Sequence, residues 1–390
     1  MPSLSKAAGH IVQSDIRTMS VECEKARGIN LAQGICDTEV PLPVRESAAK
    51  AIENGFNSYT RLDGIGGLRA AIARKMREYN GVDCDPEREV LVTAGATGAF
   101  YSACQALLDP GDEVIVFEPY YGYHVNTLAA LKLQASYVTL RAPDWKFAPE
   151  ELERAITPRT RAIVVNSPAN PSGKVFSRQE LEWIADCATR HDLFVLSDEI
   201  YEYFLYDGRK HISPASLPGM AERTITISGF SKTFSITGWR IGYAVCSSRW
   251  APSIGYFHDL AYICAPSPFQ HAAAAGLNGL RREFYDELAR EYACKRDLLC
   301  NSLQEAGLTP SIPQGAYYVL ADSSRLPGKT SKEKAMGLLS ATGVAAVPGA
   351  SFFHDHSGDN FLRFCFAKTN ADLRAACERL QMLKRAAAFR

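Results

Sequence analysis

Between about Pro41 and Leu280, short β-like runs alternate with amphipathic stretches, and nothing else in this 390-residue chain restricts its fold so strongly. The runs read as strands at Glu89–Thr93, Glu113–Phe117, Ala135–Leu140, Arg161–Asn166, Leu193–Ser197, Thr224–Ser228 and Gly242–Val245. Helical patterns lie between most of them, including Gly67–Tyr79 and Arg178–His191. Such alternation implies an α/β fold with a mainly parallel sheet covered on both faces. Beyond Arg281 the pattern changes. A long helix from Arg282 to about Ala306 precedes strands near Ala316–Leu320, Val344–Val347 and Phe361–Phe366, and a closing helix starts at Ala371. That order describes a smaller α+β domain.

Composition sets outer bounds. The length implies two or so domains, and 46% apolar residues suffice for a sizeable core. Forty-three basic residues balance forty-three acidic ones, so nothing favours nucleic acid or an anionic membrane as partner. The opening Met-Pro-Ser-Leu-Ser-Lys lacks the apolar core of a signal peptide, and no segment approaches the roughly 20 apolar residues of a spanning helix. Eleven scattered cysteines without a C-x-x-C pair read as reduced thiols and a cytoplasmic protein. Cys294 and Cys300 share a helical stretch without implying a bond or a metal. His354-Asp-His356 reads as a polar loop, and no metal site is expected.

Chemistry enters with Lys232, which follows the strand Thr224–Ser228 in a run that turns cationic again at Arg240. A lysine at a strand end inside an apolar protein loses hydration, which favours the neutral amine that condenses with aldehydes. The arginine behind it suits an anion. An aldehyde that carries a phosphate is pyridoxal phosphate. Asp198 ends another strand, where open α/β sheets bind ligands, and a carboxylate there suits the protonated pyridine nitrogen of that cofactor. Tyr201 lies three residues on, within range of the phenolic oxygen. Asn166 to Gly173 is a Pro/Gly turn at the end of a further strand.

The set Asn170-Pro-x-Gly, Asp198-x-x-Tyr201, Ser231-Lys232 and Arg240 resembles the fold-type I, class I/II aminotransferases. Tyr59 with Gly64, the turn Thr93 to Gly98, and Phe361-Leu-Arg363-Phe are similar to further family motifs, and all arrive in family order. The resemblance implies a pyridoxal-phosphate transferase fold, with a large domain over 41–280 and a small one made of 1–40 with 281–390. It implies that Lys232 bonds the cofactor and carries the substrate Cα proton, as general acid–base catalyst. Asp198 would pair with the pyridine nitrogen, and Asn170 and Tyr201 with the 3′-oxygen. Ala96 and Thr97, at a helix N-terminus, would meet the phosphate together with Arg240 and Ser231, while Tyr121 stacks on the ring. Tyr59 would reach the neighbouring subunit's phosphate, so the family implies a homodimer with shared active sites. Arg363 would grip the substrate α-carboxylate bidentately, beside Gly34. One departure stands out: many relatives carry serine three residues before the lysine, and this chain has Gly229, which leaves Ser228 or Ser231 to supply the hydroxyl.

Substrates by resemblance are an L-amino acid and a 2-oxo acid, exchanged by a ping-pong mechanism. Aspartate-type relatives place a lysine in the phosphate turn, where this chain has Thr97. The stretch Ala251 to Gly279, read as a loop, holds no lysine or arginine but offers Tyr256, Phe257, Tyr262 and Phe269. Tyr262 matches an aromatic that lines the partner's pocket in kynurenine/glutamine transaminase K-like enzymes. Aromatic, methionine or glutamine-like donors are therefore expected ahead of dicarboxylates. The alternatives are an aspartate-type aminotransferase and a C–S lyase or aminocyclopropane-carboxylate synthase-like enzyme, which shares these motifs. A non-enzymatic regulator of this fold would carry an added DNA-binding domain, and only about 30 residues precede the first motif.

Overall fold

A computed structural model describes residues 14–383. The Met-Pro-Ser-Leu-Ser-Lys opening and the last seven positions of the 281–390 span lie outside the described residues. In chain order, α1 (Asp15–Lys25) leads to β1 (Ile29–Asn30), α2 (Leu42–Glu53) and α3 (Gly66–Lys75), which continues into a π-helical turn, Met76–Asn80. There follow β2 (Val90–Ala94), α4 (Gly95–Leu107), β3 (Glu113–Glu118), α5 (Gly122–Ala130), β4 (Gln134–Thr139), α6 (Pro149–Arg154) and β5 (Thr160–Asn166). Next come α7 (Arg178–Arg190), β6 (Phe194–Asp198), β7 (Thr224–Gly229) and β8 (Ile241–Val245). The remainder is α8 (Ala251–Tyr262), α9 (Ser267–Gly279), α10 (Arg282–Glu305), β9 (Thr309–Pro310), β10 (Tyr318–Asp322), α11 (Ser331–Thr342), β11 (Val344–Ala345), β12 (Val347–Pro348), β13 (Phe361–Cys365) and α12 (Asn370–Leu380).

The large sheet has seven strands in the order β2-β8-β7-β6-β5-β3-β4. Its ladders are parallel except for β8, which runs antiparallel to β2 and β7. Every residue of β3, β7 and β8 is buried. Helices therefore cover both faces, and these strands read as continuous runs rather than alternating ones. α7 shows how the covering helices form. Ser177 and Glu180 close a capping box at its start, and Leu181, Ile184, Cys187 and Ala188 make its buried stripe. Among the described residues no helix is long and apolar enough to cross a membrane.

A second sheet, β12-β13-β10-β9, and the two-stranded β1–β11 ladder come from residues outside 41–280. Three expectations change here. The stretch 251–279 is two helices, each opened by a proline in its first turn, where the missing N–H costs nothing. Val344–Val347 is not one strand: β11 pairs parallel with β1, whereas β12 pairs antiparallel with β13. Ala316 sits at φ 56°, outside the extended region, so β10 starts only at Tyr318.

Candidate active site

β2, β5, β6 and β7 point the same way, so their C-terminal ends open on one edge of the sheet. Ala96 and Thr97, Asn166 and Asn170, Asp198 and Tyr201, and Ser231 and Lys232 all follow those ends and line one cavity of about 470 Å³. Such an edge is where open α/β sheets hold ligands. Tyr121, Arg240, Gly34 and Arg363 line the same cavity.

Asp198 is buried, and its two oxygens are held separately. Oδ1 accepts the Ile200 N–H at 3.2 Å, and Oδ2 lies 3.0 Å from Nε2 of His124. His124 stands in the first turn of α5, three residues after Tyr121, whose ring it meets edge-on. The sequence reading missed it; the short spacing from Tyr121 was the available signal. Asn166 ties two strand ends together, donating from Nδ2 to the Asp198 carbonyl at 3.1 Å and accepting the Asn170 N–H at 2.8 Å.

Lys232 is half-buried, with Nζ 3.5 Å from the Gly34 carbonyl and 5.9 Å from the ring centres of Tyr201 and Tyr317. Burial lowers its pKa below the ordinary lysine value. Burial also pushes the phenols of Tyr201 and Tyr318 up, so both remain protonated. Their hydroxyls lie 3.2 Å apart. Tyr318 also explains Gly34: a Cβ at that position would fall 1.8 Å from its hydroxyl oxygen.

Arg363 is fully buried on β13. It donates to Asn170 Oδ1 at 2.9 Å and to the Ala32 carbonyl, and it stacks on Tyr318 and Phe352. Its Nε has no partner among the described residues. Opposite, Arg240 takes φ 58°, a left-handed backbone that costs roughly 1–2 kcal/mol for a side chain with a Cβ. Its guanidinium reaches Gly95 so closely that a Cβ there would lie 2.5 Å from it.

Behind this edge lies a buried polar network. Glu199 takes Ser197, Ser213 and His211, at 2.9, 2.7 and 2.6 Å. Glu202 takes Ser228 at 2.8 Å, and Lys75 as well, with Asn80 bridging the two carboxylates. Ser228 is thus committed away from the cavity, and of the two serines only Ser231 lines it. Gly229 faces Gly242 across the β7–β8 ladder. A Cβ at 229 would sit 2.8 Å from the Gly242 Cα.

The match to known proteins now decides the family. Residues 26–380 fit the family described as aminotransferase class I and II. The chain belongs to the class I and II aminotransferases. It is 35% identical to a kynurenine–oxoglutarate transaminase of Dictyostelium discoideum, covering 93% of this chain and 92% of that one. It is 36% identical to an aspartate aminotransferase of Pyrococcus abyssi, covering 92% of each. The structure of N-succinyldiaminopimelate aminotransferase from Mycobacterium tuberculosis superposes with a TM-score of 0.94 at 35% identity, covering 98% and 100%.

The family works with pyridoxal phosphate, and the cavity suits it on three counts. An amine of lowered basicity is present, the missing side chain of Gly95 lets the Arg240 guanidinium reach the N-terminus of α4, and the Asp198 carboxylate is held in a fixed orientation. Two candidate residues of this aminotransferase stand apart from the cavity. Tyr59 and Tyr262 are exposed and do not line their own chain's cavity, although Tyr262 packs against His258 on α8. His354 pairs with Glu118 and His356 with Asp359.

Proposed function

We propose that this aminotransferase takes its amino group from aromatic, methionine or glutamine-like L-amino acids and delivers it to a 2-oxo acid, alternating the two substrates in one site. Pyridoxal phosphate, when bound, supplies the electron sink that lets the substrate Cα release its proton. The chain does the rest. Ala96 and Thr97 N–H groups, Ser231 and Arg240 would hold the phosphate, Tyr121 would lie against the ring, and Asn170 and Tyr201 would donate hydrogen bonds to the 3′-oxygen. Asp198, steadied by His124 and the Ile200 N–H, would keep a proton on the ring nitrogen. Lys232 would anchor the cofactor and, once freed by substrate, would carry the Cα proton, a role its burial-lowered basicity favours. Arg363 takes the α-carboxylate through Nε and a second N–H, beside Gly34.

Residues 41–280 act in this reading as the cofactor-binding domain, and 1–40 with 281–390 as the small domain. Exposed Leu42, Ile52, Phe56 and Tyr59 around α2, with Tyr256, Leu260, Tyr262 and Ile263 on and after α8, favour a homodimer. In it Tyr59 and Tyr262 would serve the partner's site. Eleven free cysteines accord with the cytoplasm.

One observation carries the donor preference. The cationic side chains that line the cavity are Lys232, Arg240 and Arg363, beside His124 on Asp198. Each has a task already, so a short distal carboxylate such as that of aspartate would be buried without a partner, at a cost of about 1–3 kcal/mol or more. Comparing kcat/KM for phenylalanine and aspartate against one 2-oxo acid tests this. Phenylalanine is expected to win by about tenfold, or 1.4 kcal/mol; a tenfold preference for aspartate overturns it.

A further inference from the structure

Beside the 470 Å³ cavity lies another of about 410 Å³, and the two share Ile16, Gln33 and Tyr123. Those three residues form a common mouth between them. The inner space is walled by Tyr121, Tyr318 and Phe100 as well as the polar groups assigned above. The outer one is bounded largely by α1 and the segment after it, and its lining includes Arg17, Asn30 and Gln33.

The outer lining is rich in uncommitted donors. The Arg17 side chain is exposed and makes no ion pair or hydrogen bond among the described residues, its backbone N–H alone being spent on the Ser14 carbonyl at 3.0 Å. The acidic neighbours on its helix are engaged elsewhere: Asp15 accepts from Ser351 at 2.8 Å and lies 3.5 Å from Lys332, and Glu22 holds Lys25 at 2.7 Å. Glu24 also lines the outer cavity, but it stands seven residues from Arg17, about 10 Å along the helix, too far to neutralise it. Asn30 spends its Oδ1 on the Ala32 and Gln33 N–H groups, at 2.9 and 3.1 Å, so its amide N–H₂ is left to donate. Three donors, one of them charged, thus face a space that continues from the substrate cavity. A planar guanidinium and two amides that line one space can together receive a carboxylate.

We infer that the outer cavity is a distal substrate subsite, in which Arg17, with Asn30 and Gln33, binds the terminal carboxylate of 2-amino acids bearing long unbranched side chains. This rests on the reading of the inner cavity as the amino-donor site. The methylene chain would cross the apolar mouth at Ile16 and Tyr123, and only the acid group would reach the donors. The two zones then select by length. Aspartate would leave its second carboxylate in the inner space, whereas a longer homologue would carry it through to Arg17.

The holoenzyme tests this with two donors of matched length, 2-aminopimelate and its uncharged counterpart 2-aminoheptanoate, each against one 2-oxo acid. The wild type is expected to favour 2-aminopimelate at least tenfold in kcat/KM and to favour it over aspartate as well. In Arg17→Gln the ratio of the charged to the uncharged donor should fall about tenfold, and in Arg17→Glu it should invert. Equal ratios in wild type and both variants, with transamination intact, overturn the subsite alone. Absence of transamination from every donor overturns the amino-donor reading and the subsite together.

Discussion

Lys232 owes its lowered basicity first to burial, and the neighbouring thiols of Cys36 and Cys365 work against the shift. Two consequences separate its chemistry from its structural cost. Lys232→Met is expected to abolish transamination, and borohydride reduction of the wild-type holoenzyme should fix the cofactor on Lys232 alone; an adduct mapped to Lys174 or Lys210 contradicts the assignment. In the cofactor-free protein the same substitution should raise stability at neutral pH. A depressed native pKa means that the unfolded chain binds the proton more tightly, so wild-type stability climbs with pH from the native value toward 10.5. The variant's advantage should therefore shrink over that window, as followed by thermal unfolding from pH 7 to 10.5. Asp198→Ala should retain cofactor, read from its visible absorbance, yet turn over at least 100-fold more slowly, the order expected when a group acting in the transition state is removed. Lys232, Asp198 and Arg363 were legible in the sequence because each carries its chemistry in a local motif. His124 left only its short spacing from Tyr121 as a signal, and Tyr318 and Asn166 left none. The value of those two lies in contacts with residues distant in the chain, such as the hydroxyl of Tyr318 against Gly34 and Asn166 against the Asp198 carbonyl.

At the scale of elements, the seven strands of the large sheet were readable to within a residue or two, because buried parallel strands leave unbroken apolar runs. The two-residue strands β1, β9, β11 and β12 were not readable individually, since so short an element has no period. The helices at 251–279 each open on a proline, a residue that in a sequence reads as loop punctuation. The β7–β8 ladder supplies its own test. Gly229 stands where many relatives have serine, and the facing Gly242 leaves no room for a side chain. Gly229→Ser is therefore expected to cost about 1–3 kcal/mol by overpacking, measured as a lower denaturation midpoint, without tightening cofactor binding. An unchanged midpoint would show that the ladder yields easily and that Gly229 is not held by packing.

For the whole molecule, the exposed apolar side chains around α2 and on α8 set the expectation. Leu260 is 82% exposed and Tyr59 79%, values out of keeping with residues that stay in water in a protein with this much buried core. Leu260→Lys is expected to shift the enzyme toward monomer in sedimentation and, on the proposal that Tyr59 serves the neighbouring site, to reduce activity in parallel. A fully active monomer contradicts the shared site. The pairing of β1 with β11 matters in a different currency, that of time. Ile29 sits beside Val344, so the segment bearing Gly34 has its ladder partner only after roughly 300 further residues have been made, an interval of about 15–60 s at ordinary rates of synthesis. Until then the ribosome-bound chain can hold its large sheet complete while the cavity wall that carries Gly34 and Arg363 is still unbuilt. Any nascent enzyme cut short before Val344 is therefore left with an open, unanchored N-terminal arm that a protease can reach.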